Sequence, residues 1–423
     1  MKNSIKSIYS KHQETIHNFS WRALQTFGKQ IVTFSILILS AKLLTPYDFG
    51  IYNYILAIIF LLIIFGDFGI STATSKFVAE YDNTDKQKLK LILFNSLLIL
   101  TSLSFIVVII TVIFGKTIFG DKYIYALYVL PIVFLAPISS LYDGIFRGLK
   151  RFKDLAIICL SSGIVSLFFT YTLVIRYGLI GALVSQSLYY LILVVTLLLV
   201  YRNFHIKIDK HLMKTVFNYS LILGISNVAF FLYSKVDIVV LGHYGYIEEI
   251  GYYELIDKVF TLMMIPFIMF GQVIAPNITK YHSEGNSHAI KAKFKKYVAG
   301  SILISALLSA SCYALYPSIM SSFFAKYYTH EFITMINILL PLFILKAVGG
   351  GIITQGFTIP TGHASLNMKI LLFTGPLNLV LNIIFINLYG YIGVIYATFV
   401  VWILTNTILI KIYYLGTILN APR

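Results

Sequence analysis

Four cations lie inside apolar runs of this chain, and a cation in that setting can hold an anion. The stretch from Ser20 to Leu44, SWRALQTFGKQIVTFSILILSAKLL, carries Arg22 and Lys29 seven residues apart. That spacing puts both on one helical face, with Gln25 and Thr33 on the same stripe. A cation facing lipid costs roughly 2.5–3.5 kcal/mol on insertion scales. The face is therefore expected to look onto protein or a water-filled cavity, or, for Arg22, to reach the headgroups by snorkelling. Arg22 is also the residue type that grips phosphate oxygens in a planar, bidentate fork. Lys346 lies mid-way along LLPLFILKAVGGGIITQG, between Pro341 and Gly349-Gly350-Gly351. Proline removes a backbone donor and glycines loosen a helix, so a bent or locally unwound segment is expected beside this lysine. Such a cation either marks a binding site or is neutralised by a structural carboxylate.

A further apolar run carries Asn227, Ser234 and Asp237, spaced seven and three apart on roughly one face, with Lys235 off that face. Asp237 fits either a structural pair with Lys235 or a neighbour, or an ion-coupling role. Asp143 and Arg147 stand four apart, the spacing of a helix-end ion pair. Asp67 with Lys76, and Asp257 with Lys258, fall near the ends of other runs, where loop-edge solvation accounts for them better than gating contacts between the lobes. The candidate substrate-binding residues are thus Arg22, Gln25, Lys29, Asn227, Lys235 and Lys346. The candidates for ion coupling or gating are Asp67, Asp143, Arg147, Asp237 and Asp257. Within the spans, cations outnumber acids on this reading, and a positive hollow in low dielectric favours an anionic cargo.

The elements that position these residues follow from composition. Hydrophobic residues make up 58% of the 423 and charged residues only 12%, a balance that identifies an all-α polytopic membrane protein. Twelve apolar helices are predicted, with cores near 20–43, 50–70, 90–114, 124–146, 155–176, 179–201, 215–241, 251–278, 296–316, 331–355, 366–388 and 391–414. The net charge of +16 would point to nucleic acid in a soluble chain. Here the positive-inside rule accounts for it, with no nucleic acid implied. Lys86, Lys88 and Lys90, then Lys150, Arg151 and Lys153, then Lys291, Lys293, Lys295 and Lys296 alternate with sparse loops holding Lys42, Lys116, Lys122, Arg176 and Lys326. Both termini are expected in the cytoplasm, the basic N-terminus forming a short lead-in without signal-peptide character.

The sequence also repeats. Tyr177-Gly178-Leu179-Ile180-Gly181-Ala182 recurs as Tyr389-Gly390-Tyr391-Ile392-Gly393-Val394, Leu130-Pro131 as Leu340-Pro341, and Phe49-Gly50-Ile51-Tyr52 as Ile250-Gly251-Tyr252-Tyr253. Six helices per half make a parallel repeat, so residues 1–208 and 209–423 are expected to form two six-helix lobes around a central cavity. No enzyme motif survives inspection. Gly115-Lys116-Thr117 lacks the upstream glycine of a phosphate loop, with Ile110 in its place. Asp67-Phe68-Gly69 has no kinase context. Cys159 and Cys312 have no metal spacing. No cofactor or metal is implied, and the chain is not expected to be an enzyme.

Four stretches carry a family resemblance: Ala41-Lys42-Leu43-Leu44-Thr45-Pro46-Tyr47-Asp48-Phe49-Gly50-Ile51-Tyr52, Gly66-Asp67-Phe68-Gly69-Ile70, Ile145-Phe146-Arg147-Gly148-Leu149-Lys150-Arg151-Phe152, and Lys235-Val236-Asp237-Ile238-Val239-Val240-Leu241-Gly242. With twelve spans in two halves, the chain resembles the polysaccharide-exporter branch of the multidrug/oligosaccharidyl-lipid/polysaccharide (MOP) superfamily, and within it the O-antigen flippases. The resemblance implies a bacterial inner-membrane flippase working by alternating access. Its cargo would be an undecaprenyl-pyrophosphate-type lipid-linked oligosaccharide, and its partners membrane lipids and other polysaccharide-assembly proteins. The rivals are a drug/cation antiporter of the same superfamily and a membrane polysaccharide polymerase or glycosyltransferase.

Overall fold

The computed structural model describes residues 2–202 and 204–411, with side chains from Ser20 onward except Ala23. The side chains of the basic lead-in and the last residues of the twelfth span, expected to reach 414, lie outside the described residues. Every described element is a helix. In lipid a backbone must satisfy its own polar groups, and an open sheet cannot.

In chain order these are α1 (Lys2–Leu43), α2 (Pro46–Asp67), α3 (Ile70–Tyr81), α4 (Lys86–Phe119), α5 (Tyr123–Leu127), α6 (Leu130–Gly148) and α7 (Phe152–Val200). They continue as α8 (Lys210–Ser234), α9 (Val236–His243), α10 (Ile247–Ser283), α11 (Ser287–Phe323), α12 (His330–Lys346), a wide π-helical segment (Ala347–Thr358), α13 (Ala364–Tyr389) and α14 (Tyr391–Ile410). Eleven stretches are long and apolar enough to cross a bilayer. The 49-residue α7 is two spans joined at Gly178, whose φ of 53° and ψ of −127° break the helix, so the spans among the described residues number twelve. The repeat copy, Gly390, separates α13 from α14 with φ 63° and ψ −148°. Three residues on, a Cβ at Gly181 would lie 2.0 Å from the Leu173 carbonyl oxygen, and one at Gly393 would lie 2.0 Å from that of Phe385. The repeated Tyr-Gly-x-x-Gly thus encodes one tight helical reversal, used twice.

The chain divides into two compact units, 1–44 with 55–228 and 45–54 with 229–423. In the first, α1 packs along α7, and α3, α4 and α6 pack on one another around Tyr142, Ile145 and Phe146. Asn95 on α4 fixes the extended run between α7 and α8, donating to the Lys207 carbonyl at 3.0 Å and accepting from the Asp209 amide at 2.9 Å. In the second, α10 packs against α12 and the π-helical segment, and α13 pairs with α14. A Cβ at Gly271 would lie 2.6 Å from the Gly351 carbonyl oxygen, so that contact needs small residues on both sides.

Two predicted spans differ from the observed elements. The second stops at Asp67, because Phe68 (φ 39°) and Gly69 (φ 81°) turn the chain before α3. The seventh is not continuous over 215–241. It breaks at Lys235, whose φ of −139° with ψ of −6° is not helical, so Asn227 and Ser234 do not share a helical face with Asp237. Near the end of the tenth, the loosening expected from the glycines takes the form of the π-helical turns that begin directly after Lys346.

Candidate functional site

Each unit holds a charged cluster inside its spans. In the first unit Asp143 on α6 is the hub. Arg147, one turn on, places Nε 2.8 Å from Asp143 Oδ2. Gln25, buried on α1, donates to Asp143 Oδ1 at 3.2 Å. Arg22 donates to Gln25 Oε1 and stands 4.0 Å from Asp143 Oδ1. The stripe read from the spacing of Arg22 and Gln25 therefore faces α6, and two guanidinium groups share one carboxylate. Lys29 lies on the same helix but is exposed, and it pairs with no carboxylate among the described residues. Asp67 closes the turn into α3 instead of meeting Lys76. It accepts from the Ser71 amide at 3.0 Å and from the Ser71 hydroxyl. The Lys76 ammonium stands over the Tyr219 ring, 4.2 Å from its centroid. Asn227 is half-buried on α8.

The second unit brings Lys235 and Lys346 together. Lys346, the last residue of α12, donates to Asp257 Oδ1 at 2.9 Å, and its ammonium lies 5.5 Å from the Trp402 ring centroid. Lys235, at the break between α8 and α9, donates to Asp257 Oδ2 at 3.2 Å and to Glu254 Oε1 at 2.5 Å. Lys258 stands 3.7 Å from Glu254 Oε2. Glu254 is almost fully buried, while Asp257 and the three lysines each keep roughly a quarter of their side chains accessible. Three ammonium groups thus meet two carboxylates. Asp257 is not a solvated helix edge but the centre of this cluster. Lys346 is carboxylate-paired, and the excess of cations over acids is smaller than the sequence reading made it.

Asp237 does not pair with Lys235. It is buried in the first turn of α9, where the helix N-terminus favours a negative charge. Its Oδ2 accepts from the Tyr253 hydroxyl at 2.7 Å and the Thr398 hydroxyl at 3.1 Å. Its Oδ1 accepts from the side-chain amides of Asn378 at 3.0 Å and Asn382 at 2.9 Å. All four are neutral donors, and the Asn382 Oδ1 atom is buried without a hydrogen-bond partner. This set of oxygens suits a small cation or a proton. Glu254, Tyr253, Asn378, Asn382 and Thr398 are the residues that sequence reasoning missed. The i, i+4 spacing of Asn378 and Asn382 and the Glu254–Asp257 spacing of three were the available signals.

A cavity of about 300 Å³ adjoins Lys346, with walls from α8, α10, the π-helical segment, α13 and α14. A family model described as polysaccharide biosynthesis protein matches residues 15–282, which include the Asp143 cluster, Asp237 and all of the lysine cluster except Lys346. The chain belongs to this family. An uncharacterized membrane protein of Methanocaldococcus jannaschii is similar to it, 26% identical over 386 residues, 86% of this chain and 89% of the relative. Among solved structures, an inward-facing multidrug resistance MATE family transporter of the MOP superfamily matches with a TM-score of 0.74 at 14% identity, covering 92% of this chain and 95% of that one. The lipid II flippase MurJ, in an inward closed conformation, matches with a TM-score of 0.72 at 17% identity, covering 94% and 87%. This polysaccharide biosynthesis family member is therefore a multi-pass membrane protein with the fold of the MOP-superfamily transporters.

Proposed function

We propose that this protein is a flippase that moves a polyprenyl-pyrophosphate-linked oligosaccharide, an O-antigen or related surface-polysaccharide repeat unit, from the cytoplasmic to the outer leaflet by alternating access. The observation that carries this reading is the lysine cluster of the second unit. Among the described residues, Glu254 and Asp257 are the only carboxylates paired with Lys235, Lys258 and Lys346, so a phosphate oxygen arriving there meets one ammonium beyond what the carboxylates neutralise. Phosphate charge in hydrocarbon without partners would be prohibitively costly. Arg22 and Arg147 around Asp143 offer the first unit a similar excess with bidentate geometry. An acid-rich cluster, which a drug-cation exporter needs, is the opposite of this arrangement.

Two energy sources fit the same residues. With a negative interior, each negative charge carried outward gains about 2.3 kcal/mol per 100 mV. Asp237, with four neutral donors on its carboxylate, is the candidate site for a coupling cation or proton. Depletion of the protein in its native cell is the test. Lipid-linked oligosaccharide should accumulate in a pool that an external glycosidase cannot reach. A polymerase or glycosyltransferase would instead leave short glycans exposed outside, and the purified protein would form product from them.

A further inference from the structure

Within the second unit, α10 and α11 frame a second concave space, a groove of about 450 Å³. Phe267 and Phe270 line its α10 side, Tyr297, Gly300 and Ile304 its α11 side, and Ile352 of the π-helical segment lies between them. Gly300 keeps the groove open, since a Cβ there would meet no atom within 4 Å. Phe270 and Ile304 are exposed, and α11 carries exposed Leu303 and Leu307 beside them, an apolar face that a spanning helix turns to lipid.

One end of the groove is cationic. Lys296 lines it there, at the basic end of α11 that also holds Lys291, Lys293 and Lys295. The Lys293 ammonium lies 5.8 Å from the centroid of the Tyr297 ring, which meets Phe270 edge-on across the groove at 5.4 Å. Lys296 is exposed and pairs with no carboxylate among the described residues. The nearest acid in sequence, Glu284, stands 3.8 Å from Lys280 instead. Away from this end the lining offers nothing to a polar ligand, because Ser301 turns its hydroxyl back to the Val298 carbonyl at 2.8 Å.

We propose that this groove binds one acyl chain of an anionic phospholipid, whose phosphate sits at Lys296 and Lys293. The eight residues from Lys296 to Ile304 span about 12 Å, most of the roughly 15 Å of hydrocarbon in one leaflet. The two lysines disfavour a cationic drug. A polyprenyl tail of many isoprene units is several times longer than the groove. The bound chain packs on Phe267 and Ile352. A Cβ at Gly351 would lie 2.6 Å from Phe267 Cβ, so this is where the π-helical segment comes against α10. Occupancy therefore braces the segment whose Gly349 and Gly350 line the cavity beside Lys346. The site does not depend on what the protein transports.

Native mass spectrometry tests it on the full chain, delipidated in detergent and titrated with phosphatidylglycerol, phosphatidylcholine or undecaprenyl phosphate. Phosphatidylglycerol should fill one saturable site more tightly than the zwitterionic phosphatidylcholine. Lys296→Gln should weaken phosphatidylglycerol by about fivefold and phosphatidylcholine little. Gly300→Leu fills the groove from a position with free space, so it should melt like the parent but lose the saturable site. Lys296→Gln, at an exposed position, carries the test where Gly300→Leu does not fold. Equal affinity for the two phospholipids, a Lys296→Gln chain that binds phosphatidylglycerol like the parent, or a lipid retained by Gly300→Leu would overturn the site. Undecaprenyl phosphate bound more tightly than phosphatidylglycerol, and lost in Gly300→Leu, would hand the groove to a polyprenyl tail and overturn it as well.

Discussion

Lys346 Nζ lies 2.9 Å from one oxygen of Asp257, and Lys235 Nζ lies 3.2 Å from the other. One carboxylate thus ties the end of α12, where the π-helical segment begins, to the break between α8 and α9. The two ends of this relationship are unequal. Loss of Lys346 leaves Asp257 with Lys235, but loss of Asp257 leaves Lys346 with no carboxylate among the described residues. Asp257→Ala should therefore destabilise by about 3 kcal/mol, as removal of one partner from a largely buried pair does. Lys346→Met should cost clearly less. Melting of the detergent-solubilised variants checks the order, and equal losses would show that the pairing does not hold the segment.

Asp237 tests the coupling. Asp237→Asn retains the shape of the side chain among Asn378, Asn382, Tyr253 and Thr398 but removes its charge. The variant should fold, and in proteoliposomes its flipping rate should no longer respond to an imposed sodium or proton gradient. A wild-type response to either gradient would move the coupling site elsewhere.

The first cluster separates stability from transport. Asp143 keeps Arg147 at 2.8 Å whether or not Arg22 is present, and Arg22 is more than a third exposed. Arg22→Ala should therefore change stability by no more than about 1 kcal/mol. Flipping should fall by roughly tenfold, the equivalent of about 1.4 kcal/mol of lost phosphate interaction. Unchanged flipping would take Arg22 out of the phosphate path.

The repeated reversal makes a stability prediction. Gly178→Ala meets no atom within 4 Å and is penalised only by its backbone conformation, φ 53° with ψ −127°, which costs a non-glycine residue about 1–3 kcal/mol. Gly181→Ala must push its methyl against the Leu173 carbonyl, 2.0 Å away, and should cost about 3 kcal/mol or more. Gly393→Ala should behave like Gly181→Ala, because its methyl meets the Phe385 carbonyl at the same distance. Thermal denaturation of the three variants gives the ranking.

The twelve spans were legible because a water-soluble fold seldom holds an apolar run long enough to cross a bilayer. The breaks within them were less so. Lys235 interrupts its helix without proline or glycine, so periodicity carried the seventh span straight through it. The glycines after Lys346 did announce a loosened helix. Lys346 and the Asp143–Arg147 pair stood out because charge inside an apolar run is rare. Asn378 and Asn382 did not, since an amide barely lowers local hydropathy and its value lies in which carboxylate it reaches. Asp257 looked like a helix-edge acid, and Glu254 drew no notice, because Lys235 and Lys346 reach them from other helices.

Passage of a lipid-linked oligosaccharide by way of the lysine cluster is measured with purified protein in proteoliposomes carrying a fluorescent undecaprenyl-pyrophosphate oligosaccharide, with the sugar's leaflet read by a membrane-impermeant quencher. The expected result is protein-dependent flipping that Lys346→Met reduces by tenfold or so. Flipping no faster than in empty vesicles would contradict the account, as would a Lys346→Met variant as fast as the parent.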